Sequence, residues 1–374
     1  MKKINQILVA ITLVVLSFAC NKEDKAPLVL PTTYTSANYD SNVLTEKAFR
    51  SQMAALTSYM KRGENVLNKL EADSLTKYFT LNGTSPLKSI TSTYYSNLIE
   101  STWFSTMVSS SQNVYDPLLG ETAINGGVYS NRLLDKRAKE TLQEIEKGLF
   151  SAALFNHLIS LAQNSMTEAS VDKMVCIYGA HPTFPNTNNL ANTTTPDAYI
   201  ALYAARRDKA DGNGFYTKTK DQFIKLKAAI AAGNNYNEEK NAAIAEIKLL
   251  IEKSLMATVI NYGYAATTKF NTIAAPATTI AGGLHDVGEI IGFIHGLKSI
   301  PAVHRKISDT QIDNLLSLFL APAGAEASVY KFVTSPTTEV AKIAQAQQAI
   351  QTIYGFTASE MNDFKNNYIS LMER

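Results

Sequence analysis

Residues 283–297 read GLHDVGEIIGFIHGL, and this stretch restricts the fold more than any other. At 100° per residue, Gly288, Gly292, Gly296, His285 and Glu289 share a sector of about 100° on a helical wheel. Leu284, Val287, Ile290, Ile291, Phe293, Ile294 and Leu297 cover most of the remainder. A helix that is apolar nearly all round is a buried one, so other elements must surround it. Each interior glycine costs about 1 kcal/mol relative to alanine. That cost makes sense if another backbone or a ligand comes close along the glycine stripe.

The rest of the chain supplies the surroundings, because helical periodicity dominates it. Helices are expected over 43–66, where Phe49, Met53, Leu56 and Met60 form a stripe, and over 86–108 and 133–161. Further helices are expected over 198–207, 221–232, 238–266 and 284–297. Ser335-Pro336 reads as an N-cap followed by Pro at the first helical position, and Gly355 as a helix stop. Thr357 and Glu360 form a capping box. The segments 111–130, 179–197, 210–216, 267–281 and 321–335 are rich in Asn, Gly, Thr and Pro and read as loops. No run of alternating strands with hairpin turns is evident.

An internal echo crosses this pattern. Ile145-Glu146-Lys147-Gly148-Leu149-Phe150 and Ile251-Glu252-Lys253-Ser254-Leu255-Met256 lie 106 residues apart, each inside an expected long helix. Coincidence and duplication both account for it. Under duplication, two related helical halves pack together with a ligand site between them.

The N-terminus carries an address. Lys2 and Lys3 precede an apolar run from Ile7 to Ala19 that is too short to span a bilayer and has the length of a signal core. It ends at Phe18-Ala19-Cys20, the arrangement of a lipoprotein cleavage site, with Cys20 as the lipid-bearing residue. Residues 1–19 are then a removable signal. Lys22-Glu23-Asp24 has the form of a cell-surface address, and residues 20–40 read as a flexible tether. Lipid on Cys20 makes a membrane the first partner, at the outer membrane, on its cell-surface or periplasmic face.

Removing 19 residues from 374 leaves about 355, enough for a large core or a duplicated unit. The net charge of +2 and the lack of a basic run exclude nucleic acid as an expected partner. After Cys20 only Cys176 remains, so CxxC chemistry and internal disulfides are excluded. Cys176 itself lies in an apolar run and reads as a buried thiol.

His285 and Glu289, one turn apart on the glycine stripe, are the leading site residues. A buried carboxylate must be paired, protonated or bound to a cation. An i, i+4 His/Glu pair can offer one nitrogen and one oxygen to iron or another divalent metal if other helices add ligands. A structural hydrogen bond beside a tight helix crossing explains the same pattern. His295 lies off the stripe. His157 reads as structural, His181 as a loop residue and His304 as part of a solvated basic turn. The acidic spacing of Asp208–Gly214 is a turn rather than a calcium loop.

Four segments, taken in order, resemble the imelysin-like proteins, and most closely a branch of Gram-negative lipoproteins classed only as a domain of unknown function. They are Leu30–Tyr34 with Gln52–Lys61 (QMAALTSYMK), Ile145–Ala153 (IEKGLFSAA), Ala204–Ala232 and Gly283–Leu297. The resemblance covers roughly residues 28–372. It implies an all-α fold of two related helical bundles (halves roughly 41–210 and 211–374) with a site between them. It also implies a role in iron or haem uptake, with an outer-membrane uptake receptor as partner. The family motif Gly-x-His-x-x-Glu is met at Gly283 and His285, but the acid falls one place later, at Glu289. A Trp-Asp-Glu-Ala-Phe-Gly-Tyr segment of the family corresponds here to Val171–Gly179, which keeps Asp172 and Tyr178 and has Lys173 in place of Glu. Asp172, Lys173 and Tyr178 are therefore expected opposite His285 and Glu289, with Lys173 able to pair Glu289 directly. The reading that follows is a non-catalytic ligand-binding lipoprotein. Its alternatives are an imelysin-type metallopeptidase and a scaffolding lipoprotein without a ligand site.

Overall fold

The computed structural model describes residues 25–81, 86–121, 125–163, 165–185, 196–209, 211–272 and 274–368. The signal, Cys20 and the 21–24 address lie outside the described residues. The described chain is mostly helical, and no helix in it is long and apolar enough to cross a membrane.

The centre is the helix Ala277–Leu297, the glycine helix, which starts after Pro276 and is buried along nearly all of its last fifteen residues. It packs on the long helix Asn237–Phe270, on the helix Thr141–Leu149 (the seam helix), and on Asp309–Leu318. The long helix carries Glu238 and Glu239 in its first turn and Lys269 in its last, each sign placed where the helix dipole favours it. Its other neighbours are Phe215–Ala232, Tyr199–Arg206 and Pro336–Tyr354.

The glycine stripe does what its cost implied. A Cβ on Gly288 would stand 3.2 Å from the Cβ atoms of Glu140 and Gln143, one on Gly292 2.6 Å from the Gln143 carbonyl, and one on Gly296 2.4 Å from the Gly148 carbonyl. The contacts advance in the same direction on both chains, so the seam and glycine helices run parallel, backbone against backbone.

Several boundaries differ from the sequence reading. The helix expected over 86–108 is divided into Leu87–Ile90, Thr93–Leu98, a π-helical turn Ile99–Trp103 and Phe104–Ser110. The break comes where the Ser92 hydroxyl caps the Tyr95 amide and the Ser92 amide bonds the Ala152 carbonyl. The helix expected over 133–161 begins only at Thr141. Leu133 and Leu134 belong instead to a small hairpin, Gly127–Tyr129 against Arg132–Leu134, turned by Ser130 and Asn131 at positive φ. A π-helical turn, Phe150–Phe155, follows the seam helix before Asn156–Gln163. α-Helices occupy parts of three expected loops, since one starts at Phe215, others reach Phe270 and leave from Ala277, and a short one spans Lys331–Thr334.

Pro336 opens its helix and Gly355 ends it at φ 67° as expected, but the Ser335 side chain makes no cap bond. The Thr357/Glu360 capping box is formed. Part of the expected tether is docked, because Tyr34 and Tyr39 are buried against the bundle.

Candidate functional site

Between the helix Leu44–Lys61, the Tyr199–Arg206 helix, the long helix and the N-terminal half of the glycine helix lies a cavity of about 1040 Å³. Its size is that of a ligand pocket. Phe150, Tyr199, Tyr203 and Tyr262 give it aromatic walls, while His285, Asp286 and Glu289 reach it from the glycine helix. A recess of about 380 Å³, lined by Lys61, Glu64, Arg132 and Gly282 among others, shares those residues except Glu64 with the main cavity.

Glu289 is an almost wholly buried charged group of the cavity lining, with 3 % of its surface exposed. Its Oε1 accepts an ion pair from Lys147 at 2.9 Å and stands 3.8 Å from His285 Nε2. Its Oε2 is buried, and the Tyr262 phenol donates a hydrogen bond to the carboxylate. Burial alone would push this carboxyl up, but the Lys147 ammonium, the His285 ring and the neighbouring Tyr262 phenol outweigh it and hold it at about 2. These neighbours favour the ionised form of Glu289.

Lys147 comes from the seam helix and is fully buried, with Glu146 at 3.2 Å as its second carboxylate. Its ammonium lies 5.6 Å from the centre of the Phe150 ring and 5.3 Å from that of Tyr203, and the Arg206 guanidinium lies 4.9 Å from Tyr203. These are cation–π distances.

His285 is fixed from its other side. Nδ1 hydrogen-bonds the fully buried Glu140 at 2.8 Å. Burial would lower the ring's pKa, but the adjacent Glu140 carboxylate more than reverses this and raises it. Glu140 in turn has Arg132 at 3.9 Å, which stands 3.6 Å from Glu64. Burial and the nearby Glu140 charge push Glu64 up to about 7, against the pull of Arg132. Asp286 pairs with Lys269 at 2.7 Å, yet burial still lifts it to about 6.

Further along the seam, Glu144 holds His295 at 2.8 Å, and His295 Nε2 reaches the Tyr94 phenol at 2.7 Å. Lys139 pairs the same carboxylate. His295 is thus a structural residue of the parallel crossing.

The sequence brought His285 and Glu289 together correctly but placed the wrong residues opposite them. The lysine on Glu289 is Lys147 rather than Lys173. The helix Glu168–Tyr178 packs on Leu44–Lys61, Asn156–Gln163 and Phe215–Ala232, which turns Asp172, Lys173 and Tyr178 to a different part of the bundle. There Asp172 accepts from Tyr34 at 2.5 Å, Ser36 at 2.7 Å, Asn42 at 2.7 Å and Lys227 at 3.0 Å. Tyr178 is fully buried with its ring 5.7 Å from Phe223, and Lys173 is half-buried. None of the three lines the cavity.

Lys147, Glu140 and Arg132 were missed. A signal existed: Gln143, Glu144, Glu146 and Lys147 interrupt what is otherwise the approach to a continuous apolar run, and a helix buried on every side must pair such charges.

The other histidines are as expected or better held. His157 meets Glu46 at 3.2 Å, His181 bonds Thr183 at 2.8 Å, and His304 contacts Gln163 at 2.7 Å. Cys176 is a buried free thiol. Asp208 caps the Thr217 amide at 2.7 Å, the turn role expected of it.

His285 keeps Nδ1 on Glu140 and turns Nε2 toward Glu289, while the Lys147 ammonium stands on the Glu289 carboxylate as its counter-charge. No group of three His, Cys, Asp or Glu able to hold a metal occurs among the described residues.

No protein-family model, no curated protein and no solved structure matches this chain.

Proposed function

We propose that this chain is a non-catalytic binding protein of the cell envelope, tethered by lipid on Cys20, whose central cavity holds a small organic ligand. The observation that carries the reading is the cavity itself, about 1040 Å³, walled by Phe150, Tyr199, Tyr203 and Tyr262 with the buried carboxylates Asp286 and Glu289 in its lining. Aromatic walls around a few buried polar groups are the make-up of a small-molecule site. Delivery of iron or haem to an outer-membrane receptor rests on the resemblance alone.

The related-halves reading belongs to the same proposal. It is supported by the two echo segments lying in the seam helix and the long helix, which flank the glycine helix.

The test is native mass spectrometry of the purified mature chain beside Ala265→Trp, which fills the cavity from the long helix without touching a charge. A co-purifying organic molecule present in the natural chain and missing from the variant is the expected result. If both are empty, and no compound of a diverse library raises the melting temperature of the natural chain alone, the scaffolding reading replaces this one.

A further inference from the structure

Resting on the cavity reading for its use, we propose that Arg132 is a proton-operated arm at the junction of the recess and the main cavity. It stands toward Glu64 while that carboxyl is ionised, and toward Glu140 once Glu64 is protonated.

The arm is fixed at one end and loose at the other. Its backbone is paired with Tyr129 in the hairpin. Its side chain lines both the recess and the main cavity. Nη1 lies 3.6 Å from Glu64 Oε1 and 3.9 Å from Glu140 Oε1, so neither carboxylate holds it at hydrogen-bond distance. Glu64 Oε1 is itself buried and meets no hydrogen-bond donor. Glu140 has its Oε2 on His285 at 2.8 Å and receives a long 3.4 Å bond from Gln143 on Oε1. A charged fork midway between two carboxylates goes to whichever pulls harder.

One proton decides which that is. Glu64 faces Lys61 from the preceding helix, Arg132 from the hairpin, Glu140 from the start of the seam helix and His285 from the glycine helix. Burial and the Glu140 charge outweigh the three cations and hold Glu64 at about 7. Above that pH the ionised Glu64, with a bare oxygen, takes the guanidinium. Below it Glu64 loses its pull, and the carboxylate left beside the guanidinium is Glu140. His285, which Glu140 makes easier to protonate, bonds the other Glu140 oxygen. The two cations repel, and separate oxygens keep them apart.

Crystal structures of the unliganded natural chain at about pH 5 and about pH 9 test this directly. At about pH 9 the guanidinium is expected to close on Glu64 to about 2.9 Å. At about pH 5 it is expected to close on Glu140 and to open from Glu64 by about 1 Å or more. Glu64→Gln is expected to show the acid position at both values. A guanidinium that keeps one position throughout overturns the proposal. So does a movement that persists in Glu64→Gln, which would make His285 the trigger. If that variant does not fold, NMR titration of the Arg132 Nε–H signal in the natural chain decides. A midpoint at about 7 supports Glu64 as the trigger, whereas no titration, or a midpoint more than about one unit away, overturns it. None of these readouts needs a ligand. A motionless arm therefore leaves the cavity reading standing, and a moving arm beside a cavity that native mass spectrometry finds empty overturns that reading instead.

Discussion

Asp172 and Glu289 are both helical carboxylates, both almost wholly buried, and both within 3.0 Å of a lysine ammonium. Their surroundings diverge from there. Asp172 divides four donors evenly, Tyr34 and Lys227 on one oxygen and Ser36 and Asn42 on the other. Glu289 has the Lys147 ammonium 2.9 Å from one oxygen and a hydrogen bond from the Tyr262 phenol, which itself lines the cavity. Asp172 ties the lead-in segment to the bundle, and its hydrogen bonds more than offset burial and lower its pKa. Glu289 lines a cavity. A carboxylate whose donors all belong to the docked lead-in and its support is a fastening, and one whose phenol donor stands on a cavity wall belongs to a binding surface.

The same substitution at the two lysines separates these roles. Lys147→Met leaves Glu146 and Glu289 buried with their shared cation gone, and should cost about 3–5 kcal/mol in urea denaturation. Lys227→Met leaves Asp172 three donors and should cost about 1.5–3 kcal/mol. Equal losses at the two sites would erase the distinction.

The backbone that positions Glu289 can be probed next. Gly296→Ala and Gly292→Ala drive a Cβ into carbonyl oxygens of the seam helix and should each lose about 1–3 kcal/mol. Gly288→Ala meets the Cβ atoms of Glu140 and Gln143 at 3.2 Å and the Glu140 carbonyl at 3.4 Å, and the gain in helix propensity offsets most of this milder crowding. A flat series would mean that the parallel crossing yields easily.

The smallest effect concerns Glu64, linked to Glu289 through Arg132, Glu140 and His285. Its folded pKa, about 7, lies above its unfolded value of 4.5. The stabilisation is full below about 4.5 and is lost as pH rises through about 7. Glu64→Gln should therefore melt higher than the natural chain at pH 8 and about level with it at pH 5. Asp172, whose shift has the opposite sign, contributes stability that is lost only as pH falls, so its Asn variant should show no gain at pH 8.

What the sequence disclosed follows from what periodicity can encode. The glycine helix is legible because its burial and its close contacts are both written in residues one turn apart. The capping box at Thr357 and the stop at Gly355 are local chemistry and are equally legible. Leu133 and Leu134 were misread as helical because their apolar pair fits either period, and the decision lies in the positive φ of Ser130 and Asn131. The partners of Glu289 were hidden for another reason. Lys147 is 142 positions away, and only the parallel packing of two helices through small residues brings it near. Family likeness supplied Lys173 instead, on a helix that packs elsewhere.

The long helix serves as a ruler. Its start is pinned to the lead-in, where Lys25 pairs Glu239 and the Ala26 carbonyl meets Tyr236. Its far end supplies Asn261, Tyr262, Ala265 and Lys269 to the cavity. At 1.5 Å per residue, the stretch from 239 to 261–269 measures about 33–45 Å. The proposed anchor, Cys20, lies five residues before Lys25 in the sequence, so it joins the described chain at the end of the long helix opposite the cavity.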